Sequence, residues 1–337
     1  MLQSLGDLHP AYSRLAESVW GWSHYAAQQI EVPFSVLSER ATLLGYEGRG
    51  QRSANGCCRI LRCQDAWLAI NLPRSSDCEA VGALLCEIAQ EDAWTQLEDA
   101  LPKLDSRTVV AQARLLGMPV ARIGEACGTG SLPGPPRNGI AAGRWERTPQ
   151  VVDLSSLWAG PLCGAILAQS GCEVTKVDIE ARKDTTAMRS IEFDRRLNGE
   201  KRRLTLDPRA TNDLDQLKAM IIGADVVITN ARQRGLVSLG VFDQLVSSNT
   251  CWIAITAHDD DDRTGFGDDC AAAGNLVGVD DTGVPVFVGD ALADPLTGIA
   301  AAATALSALS QRLRGRFRLS LAGVAAACSA SQANAYV

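Results

Sequence analysis

The chain has 337 residues, of which 46% are hydrophobic and 21% are charged, as is typical of globular proteins. This length is sufficient for two domains. The formal net charge of −7 argues against a general nucleic-acid-binding protein, because such proteins normally carry a basic surplus. An anionic cofactor is still compatible with this charge, since a local cluster of basic side chains is sufficient to bind one.

The cysteines, the N-terminal sequence and the apolar runs indicate the cellular location of the protein. The 11 cysteines are scattered without a C-x-x-C pair, and no histidine stands at zinc-site spacing, so we predict free thiols and no metal site. The N-terminal sequence MLQSLGDLHPAYSRLAES carries charges where a signal peptide needs an apolar core. The run from Gly298 to Leu309 is too short and too rich in alanine to span a membrane. We therefore predict a cytoplasmic protein without a membrane partner.

The first part of the chain, residues 1–128, has an α+β pattern. Its predicted elements are helices at Tyr12–Gln29 and Pro33–Leu44, the strand-like runs CCRILRC and AWLAINL, and helices at Cys78–Ile88, Ala93–Leu101 and Ser106–Leu116. A turn-rich segment, GYEGRGQRSANGCC, precedes the strands. The stretch GTGSLPGPPRNG combines glycine and proline without hydrophobic periodicity, so we predict a linker at residues 129–147.

The second part, residues 148–337, alternates strands and helices. Strand-like runs QVVDLSS, EVTKVDI and CWIAITA are separated by helical stretches such as GPLCGAILAQSG and VFDQLVSS. This alternation predicts an α/β fold with a Rossmann-like, doubly wound parallel sheet. Between the first strand and helix, DLSSLWAGPLCG contains no G-x-G-x-x-G, and the chain has no P-loop and no G-x-S-x-G elbow. The usual dinucleotide enzymes, P-loop enzymes and α/β-hydrolases are therefore disfavoured.

A carboxylate stands at the start of the alanine-rich stretch VGDALADPLTGIAAAATALSAL. Asp294 is followed directly by Pro295. Aspartate is a favoured helix N-cap, and proline suits the next position because its missing N–H would have no partner there. Local sequence alone thus predicts that Asp294 caps the helix.

Several segments of the second part, in order, resemble the family III CoA-transferases, the group that contains formyl-CoA and carnitine CoA-transferases. VVDLSSLWAGPLCGAILAQSGCEVTKVD is similar to the opening βαβ unit of that family, and LNGEKRRLTLD, ADVVITNARQRGLVSLG, GFGDD and VGDALADPLTG follow. In the first part, GQRSANGCCRILRCQDAWLAINL and SRTVVAQARLLGMPVARIGE resemble segments that normally come after the catalytic domain. The resemblance implies the family fold in circularly permuted order, as in a bacterial subgroup, and a homodimer.

The resemblance also implies a catalytic mechanism. The family's nucleophile is the aspartate of a D-x-x-T-G element, which falls on Asp294 with Thr297 and Gly298. Its carboxylate would form an acyl-aspartyl anhydride with the donor and then an aspartyl-CoA thioester. A helix N-terminus favours the ionised carboxylate that this attack requires. Asp269 matches an acidic position near the nucleophile.

Coenzyme A, as the free thiol or an acyl-CoA substrate, would need basic partners for its phosphates. The matched segments assign this role to Lys201, Arg202 and Arg232, whereas Arg182, Lys183 and Arg234 belong equally well to solvated loops. Leu157, Trp158 and Ala159 occupy the turn that passes the thioester in relatives, although Trp158 fits a core position equally well. A loop with Gly48, Gly50, Gln51 and Gly56 matches the family's closing loop, or is a simple turn before a strand.

The sequence thus favours an enzyme that moves CoA from an acyl-CoA to a small carboxylic acid. Two rivals are weighed against it. Racemases of the family use a histidine at the position of Asp268, so this chain lacks one of their acid/base groups. His258, in HDDDDR, reads as part of a solvated loop. The second rival is an acyl-CoA-binding subunit without turnover that works with another transferase chain.

Overall fold

The computed structural model describes residues 2, 4–48, 50–88, 91–127, 132–137, 140–180, 184 and 186–333. The strands are β1 (Cys58–Arg62), β2 (Trp67–Asn71), β3 (Val120–Arg122), β4 (Gln150–Asp153), β5 (Glu173–Ile179), β6 (Arg202–Leu206), β7 (Val226–Thr229), β8 (Cys251–Thr256), β9 (Val277–Val279), β10 (Pro285–Phe287) and β11 (Gly315–Ser320). The helices are α1 (His9–Ser23), α2 (Glu39–Leu44), α3 (Ser75–Glu79), α4 (Val81–Leu85), α5 (Ala93–Ala100), α6 (Ser106–Leu116), α7 (Ala159–Gln169), α8 (Thr186–Arg189), α9 (Ile191–Asn198), α10 (Thr211–Gly223), α11 (Gln233–Ser238), α12 (Phe242–Ser247), α13 (Gly267–Ala273), α14 (Ala293–Gln311) and α15 (Leu321–Ala333).

A parallel sheet of six strands forms the centre of the second part, in the order β11-β8-β7-β4-β5-β6. Counted from β4 along the chain, this is the 3-2-1-4-5-6 order of the doubly wound fold. The prediction of an α/β, Rossmann-like sheet is therefore confirmed. Its direction of winding reverses between β4 and β7, where a crevice forms at the carboxyl ends of the strands.

Both faces of this sheet are covered, as parallel strands require. Along β7, Val226 and Ile228 pack into a core that includes α1, α7 and α14. The intervening Val227 packs on the other face, with residues of α10 and α12. The strands are apolar at successive positions because alternate side chains enter different cores.

A smaller antiparallel sheet, β1-β2-β3, belongs to the first part of the chain. It packs with α4, α5 and α6 around its own apolar core, so the α+β prediction for this segment is confirmed. Helix α1, in contrast, lies in the larger core against α14 and α15. The boundary at residue 128 stays a prediction, since the start of the chain shares a core with the second part.

The predicted linker lies only partly within the described residues. Its described portions contact both parts: the indole of Trp22 donates to the carbonyl of Gly134 at 2.8 Å, and Gly143 N–H donates to Ser310 O at 3.0 Å. Among the described residues, no helix has both the length and the apolar character needed to cross a membrane.

Candidate active site

A cleft of about 520 Å³ lies at the crevice between β4 and β7. Its wall includes Ser156, Leu157 and Ala159 after β4, residues 230–232 after β7, Gly265 and Phe266 ahead of α13, and Asp294. Asn230 joins the two loops, because its amide accepts from Ser156 N at 3.1 Å and donates to Ser156 O at 2.7 Å. The asparagine of the segment ADVVITNAR therefore fixes the mouth of the crevice.

Asp294 is the second residue of α14, not its cap. The helix begins at Ala293, with Leu292 at the N-cap, so the predicted capping role of Asp294 and the first-position role of Pro295 are both wrong. The turn before the helix explains the shift. Ala291 adopts φ +45°, and its carbonyl accepts from Asp294 N–H at 2.8 Å. The carboxylate of Asp294 is left partly exposed in the cleft wall rather than folded back onto the first amides.

Two glycines allow the close packing that positions Asp294: one faces its carboxylate, and the other faces the start of α7. A Cβ on Gly267 would lie 2.3 Å from Asp294 Oδ2, well inside contact distance. A Cβ on Gly298 would lie 2.8 Å from the carbonyl oxygen of Ala159, because α14 crosses close to the start of α7. The glycine of D-x-x-T-G thus permits the helix contact that places Asp294 at the cleft.

Three aspartates near the start of α14 have raised pKa values. Burial raises the pKa of Asp294 to about 7, with Arg40 opposing the rise and the charges of Asp268 and Asp290 adding to it. Burial likewise raises the pKa of Asp269 to about 7 and that of Asp268 to about 6. Burial and the neighbouring carboxylates therefore oppose the ionised form of Asp294 that the helix N-terminus was expected to favour. Perturbed carboxyl groups in a cleft mark candidate functional sites.

The first part of the chain completes this cluster with side chains that sequence reasoning missed. Arg40 forms a bidentate ion pair with the fully buried Asp290. Asn55 donates to Asp268 Oδ2 at 3.3 Å, and Asn71 donates to Asp269 Oδ1 at 2.9 Å. These partners are 198 to 250 residues apart in the chain, so no local motif could reveal them.

Arginines from both parts of the chain line the cleft. Arg232 donates to Thr264 Oγ1 at 2.9 Å, and Arg234 is exposed two residues further along the chain. Both guanidinium groups approach Gly117 of the first part, since a Cβ there would lie 3.7 Å from Arg232 Nη1 and 3.9 Å from Arg234 Nη2. Arg74 and Arg263 also contribute to the wall. The arrangement suits an anionic ligand.

Comparison with known proteins agrees with this geometry. The sequence profile described as CoA-transferase family III matches residues 149–336, more than half of the chain. The chain belongs to CoA-transferase family III. It is 30% identical to a succinyl-CoA–D-citramalate CoA-transferase of Chloroflexus aurantiacus, over 49% of this chain and 45% of the relative. It is 28% identical to an acyl-CoA transferase of Fusarium pseudograminearum, over 49% of this chain and 41% of the relative.

A solved structure shares the fold. The CAIB/BAIF family protein from Brucella suis has a TM-score of 0.50 at 26% identity, over 56% of each chain. The chain therefore spans about half the length of the relatives it matches. The family profile covers the Rossmann-like part, so the permuted order of the first part stays a prediction.

Not every residue assigned to CoA by family resemblance lines the cleft. Lys201 is buried, and its ammonium donates to Asp153 Oδ2 at 2.8 Å, Asn198 Oδ1 at 2.9 Å and Pro161 O at 2.7 Å. All three of its donors are used inside the fold. The prediction that Lys201 contacts a CoA phosphate is therefore wrong for this structure.

Arg202 also lies away from the cleft. It is exposed at the first position of β6, the edge strand, and thus at the amino end of the sheet. The family's cleft opens at the carboxyl ends, so Arg202 is not brought to it. Arg232 is the one predicted phosphate partner in the wall, and Arg234 joins it, whereas Arg182 and Lys183 lie outside the described residues.

The turn after β4 divides its three predicted residues between cleft and core. Leu157 and Ala159 line the cleft, and Leu157 adopts φ +72°, a strained conformation for a leucine. Trp158 is fully buried, edge-on to Phe193 at 5.3 Å, so it belongs to the core. Its indole N–H has no partner among the described residues.

None of the described residues of the glycine-rich loop lines the main cleft. Gly48, Gly50, Gln51 and Gly56 are all absent from the lining of the main cleft. Gly50 and Gly56 adopt positive φ, as tight turns require, and Gly50 O accepts from Phe287 N–H at 2.9 Å. The turn interpretation fits what is described, and Asn55 is the loop residue that contacts the aspartate cluster.

His258 is buried rather than solvated, which corrects the prediction for HDDDDR. Burial lowers the pKa of its imidazole to about 3, and its Nε2 lies 3.9 Å from Cys270 Sγ. With Asp269 these side chains form a compact group of a size that could hold a metal ion. Two of these three side chains have hydrogen-bond partners within the fold. Asp269 Oδ1 accepts from the side chain of Asn71 and from the backbone N–H of Phe266, and Cys270 Sγ donates to Ala257 O at 3.3 Å.

Proposed function

We propose that this protein transfers CoA from an acyl-CoA donor to a small carboxylic acid, with Asp294 as the nucleophile. The observation that carries the proposal is a partly exposed aspartate with a pKa of about 7, set in the wall of an arginine-lined cleft at the crevice of the sheet. A carboxylate with this pKa is ionised in part at neutral pH and is more basic than an ordinary aspartate. The ionised fraction supplies the nucleophile, and its raised basicity favours attack on a thioester.

The proposed reaction exchanges a thioester for a carboxylate without any other reactant. The Asp294 carboxylate attacks the acyl carbonyl, which releases CoA thiolate and leaves an acyl-aspartyl anhydride. The thiolate attacks the aspartyl carbonyl, which releases the donor acid and leaves an aspartyl-CoA thioester. An acceptor carboxylate then attacks this thioester, and the released thiolate takes the new acyl group and regenerates Asp294.

The cleft supports binding of CoA as substrate. A further cavity of about 310 Å³ shares Ser156, Asn230 and Ala231 with the main cleft and continues along the carboxyl ends of β4 and β5. In this proposal Arg232 and Arg234 bind phosphate oxygens, and Leu157 and Ala159 flank the thioester. Asp269 stays beside the nucleophile, held by Asn71, and affects it through its charge. The permuted order, a homodimer and a cytoplasmic location belong to the same proposal.

Trapping of the covalent intermediate tests the proposed chemistry. The protein is incubated with a panel of acyl-CoAs, with and without carboxylic acids, and then treated with hydroxylamine or borohydride. We expect a modified peptide that contains Asp294, together with exchange of CoA between acids, measured by mass spectrometry. Binding of CoA with neither a modified peptide nor exchange would favour the acyl-CoA-binding subunit instead. Exchange of the α-proton alone would favour a racemase.

Arg232→Ala is expected to weaken CoA binding by about 10–100-fold, the loss of one hydrogen bond to a charged group. The reason is that Arg232 stands in the cleft wall beside Arg234. Isothermal titration calorimetry with CoA measures the change. Arg202→Ala is the matched control, because it removes the same charge from the amino end of the sheet and should leave the affinity unchanged. Equal losses in both variants would contradict the proposed phosphate site.

A further inference from the structure

Arg40 occupies an unusual position beside the aspartate cluster. It lies in α2, ahead of the region that matches the family. Its Nε donates to Asp290 Oδ2 at 2.7 Å and its Nη2 donates to Asp290 Oδ1 at 2.5 Å. The Asp290 side chain is fully buried and that of Arg40 is 17% exposed. Bidentate pairs of this kind fix the orientation of both groups.

A second contact holds the same guanidinium in place. Its central carbon lies 4.8 Å from the centre of the Trp158 ring, within the range of a cation–π interaction. Trp158 is buried and stands immediately before α7, whose first residue lines the cleft. Arg40 is thus held between the start of α7, through Trp158, and the turn that leads into α14, through Asp290.

This turn places the proposed nucleophile. Asp290 is followed by Ala291, which adopts φ +45° and donates its N–H to Asp268 Oδ1 at 2.9 Å. Ala291 O then accepts from the N–H of Asp294. The Arg40–Asp290 pair therefore fixes the segment from which Asp294 projects, and it brings a positive charge to a group of four aspartates.

We propose that Arg40 is a positioning residue for Asp294: paired with Asp290 and stacked on Trp158, it acts through its charge on the nucleophile and makes the catalytic centre depend on the segment ahead of the family match. This inference rests on the proposed function of Asp294. It goes beyond that function because it assigns opposite electrostatic roles to the two members of one ion pair. Arg40 favours the ionised nucleophile, and Asp290 opposes it.

The charged groups around Asp294 come from few elements. Helices α7 and α15 and strand β8 contain no charged residue. His9, Arg14 and Glu17 of α1 and Arg316 and Arg318 of β11 are exposed. The strongest charge effects on Asp294 come from Arg40, Asp268, Asp290 and Asp269, and Asp294 also interacts with the thiol of Cys270. The arginines at positions 74, 232, 234 and 263 stand in the same cleft wall but are not among these strongest effects. Removal of Arg40 should therefore change the pKa of Asp294 more than removal of any other of these charges that is positive.

The test uses two variants that break the same ion pair in opposite senses. Arg40→Met removes the positive charge, so the titration of Asp294 should move up by about 1 pH unit or more. Asp290→Asn removes a negative charge and frees Arg40 to attract Asp294, so the titration should move down by a similar amount. The acid limb of the pH profile of kcat/KM, where the activity falls as the pH is lowered, should shift in the same direction as the titration in each variant. The reason is that the protonated carboxyl group is not nucleophilic. Arg40→Lys keeps the charge and should restore the limb towards its wild-type position.

A purely structural role predicts a different result. In that case both variants would lower activity at every pH, with the acid limb unmoved or moved in the same direction, and the inference would be overturned. Carbon-13 NMR of aspartate-labelled protein, with Asp294→Asn to assign the signal, gives the titration without turnover. The inference thus fails or survives independently of the transferase activity. If Arg40→Met does not fold, Arg40→Lys and Asp290→Asn still give the comparison.

Discussion

Asp294→Asn is expected to abolish CoA transfer, with kcat lowered by about four orders of magnitude or more, as when other covalent nucleophiles are removed. The amide cannot form the anhydride, and the modified peptide should disappear with the activity. The substitution is nearly isosteric, and the carboxylate accepts no hydrogen bond from the described residues around it. Steady-state kinetics and mass spectrometry of the trapped protein measure both effects.

The same variant should be more stable than the wild type above neutral pH. The folded-state pKa of Asp294 is raised to about 7, so the folded protein loses stability relative to the unfolded chain as the pH rises from about 4, the ordinary pKa of aspartate, to about 7, and the whole loss is present above that pH. Removing the charge should therefore stabilise the protein at pH 8, by about 1–3 kcal/mol after allowance for the partial exposure of the group. Gain of stability with loss of function is the pattern expected of a strained active site.

Asp281→Asn provides a matched control for this prediction. It makes the same chemical change at an exposed aspartate in the turn before β10. We expect neither the activity nor the unfolding transition to change. Retention of transfer and of the modified peptide in Asp294→Asn would exclude Asp294 as the nucleophile. A loss of folding in Asp294→Asn, seen by circular dichroism, would instead assign it a structural role.

Lys201→Met is expected to lower the free energy of unfolding by about 3–5 kcal/mol. The Lys201–Asp153 pair has both side chains at 0% exposure, so removing the ammonium leaves a buried carboxylate that has lost its main partner. Burial would raise the pKa of Asp153, but Lys201 and Lys176 hold it below its usual value. Chemical denaturation monitored by tryptophan fluorescence measures the loss, and CoA affinity at low temperature should be unchanged.

Two further variants separate the pair from its surroundings. Lys103→Met, at an exposed lysine, should leave the stability within about 0.5 kcal/mol of the wild type. The double variant Asp153→Asn/Lys201→Met should recover part of the loss, because the unpaired charge is removed along with its partner. A fall in CoA affinity without a fall in stability would contradict this structural role and would indicate that Lys201 binds CoA.

Local patterns were sufficient to predict the sheet and the smaller unit. The apolar runs that became β4, β5, β7 and β8 alternate with helical segments, and such alternation is compatible with few arrangements. The segment D-x-x-T-G identified Asp294 by resemblance to the family, although its exact place in the helix was wrong. The backbone turn at Ala291, with its positive φ, shifted the helix start by two residues, from Pro295 to Ala293.

Motif matches were weaker guides to the direction of a side chain. Lys201 and Arg232 come from equally good matches, yet one ammonium is enclosed beneath α7 and the other side chain lines the cleft. A sequence segment fixes where the backbone runs, but the available partners decide where a long basic side chain ends. His258 shows the same point, since four adjacent aspartates suggested solvent while its ring is buried beside Cys270.

The sequence by itself determined the parallel α/β sheet, the family and the candidate nucleophile, because each depends on residues that are close together in the chain. Only the tertiary structure decided the electrostatic environment of that nucleophile. Arg40, Asn55 and Asn71 reach the aspartates across 250, 213 and 198 residues. Burial and charge act through distance in space, so the pKa of a buried carboxyl group depends on neighbours that no local pattern can specify.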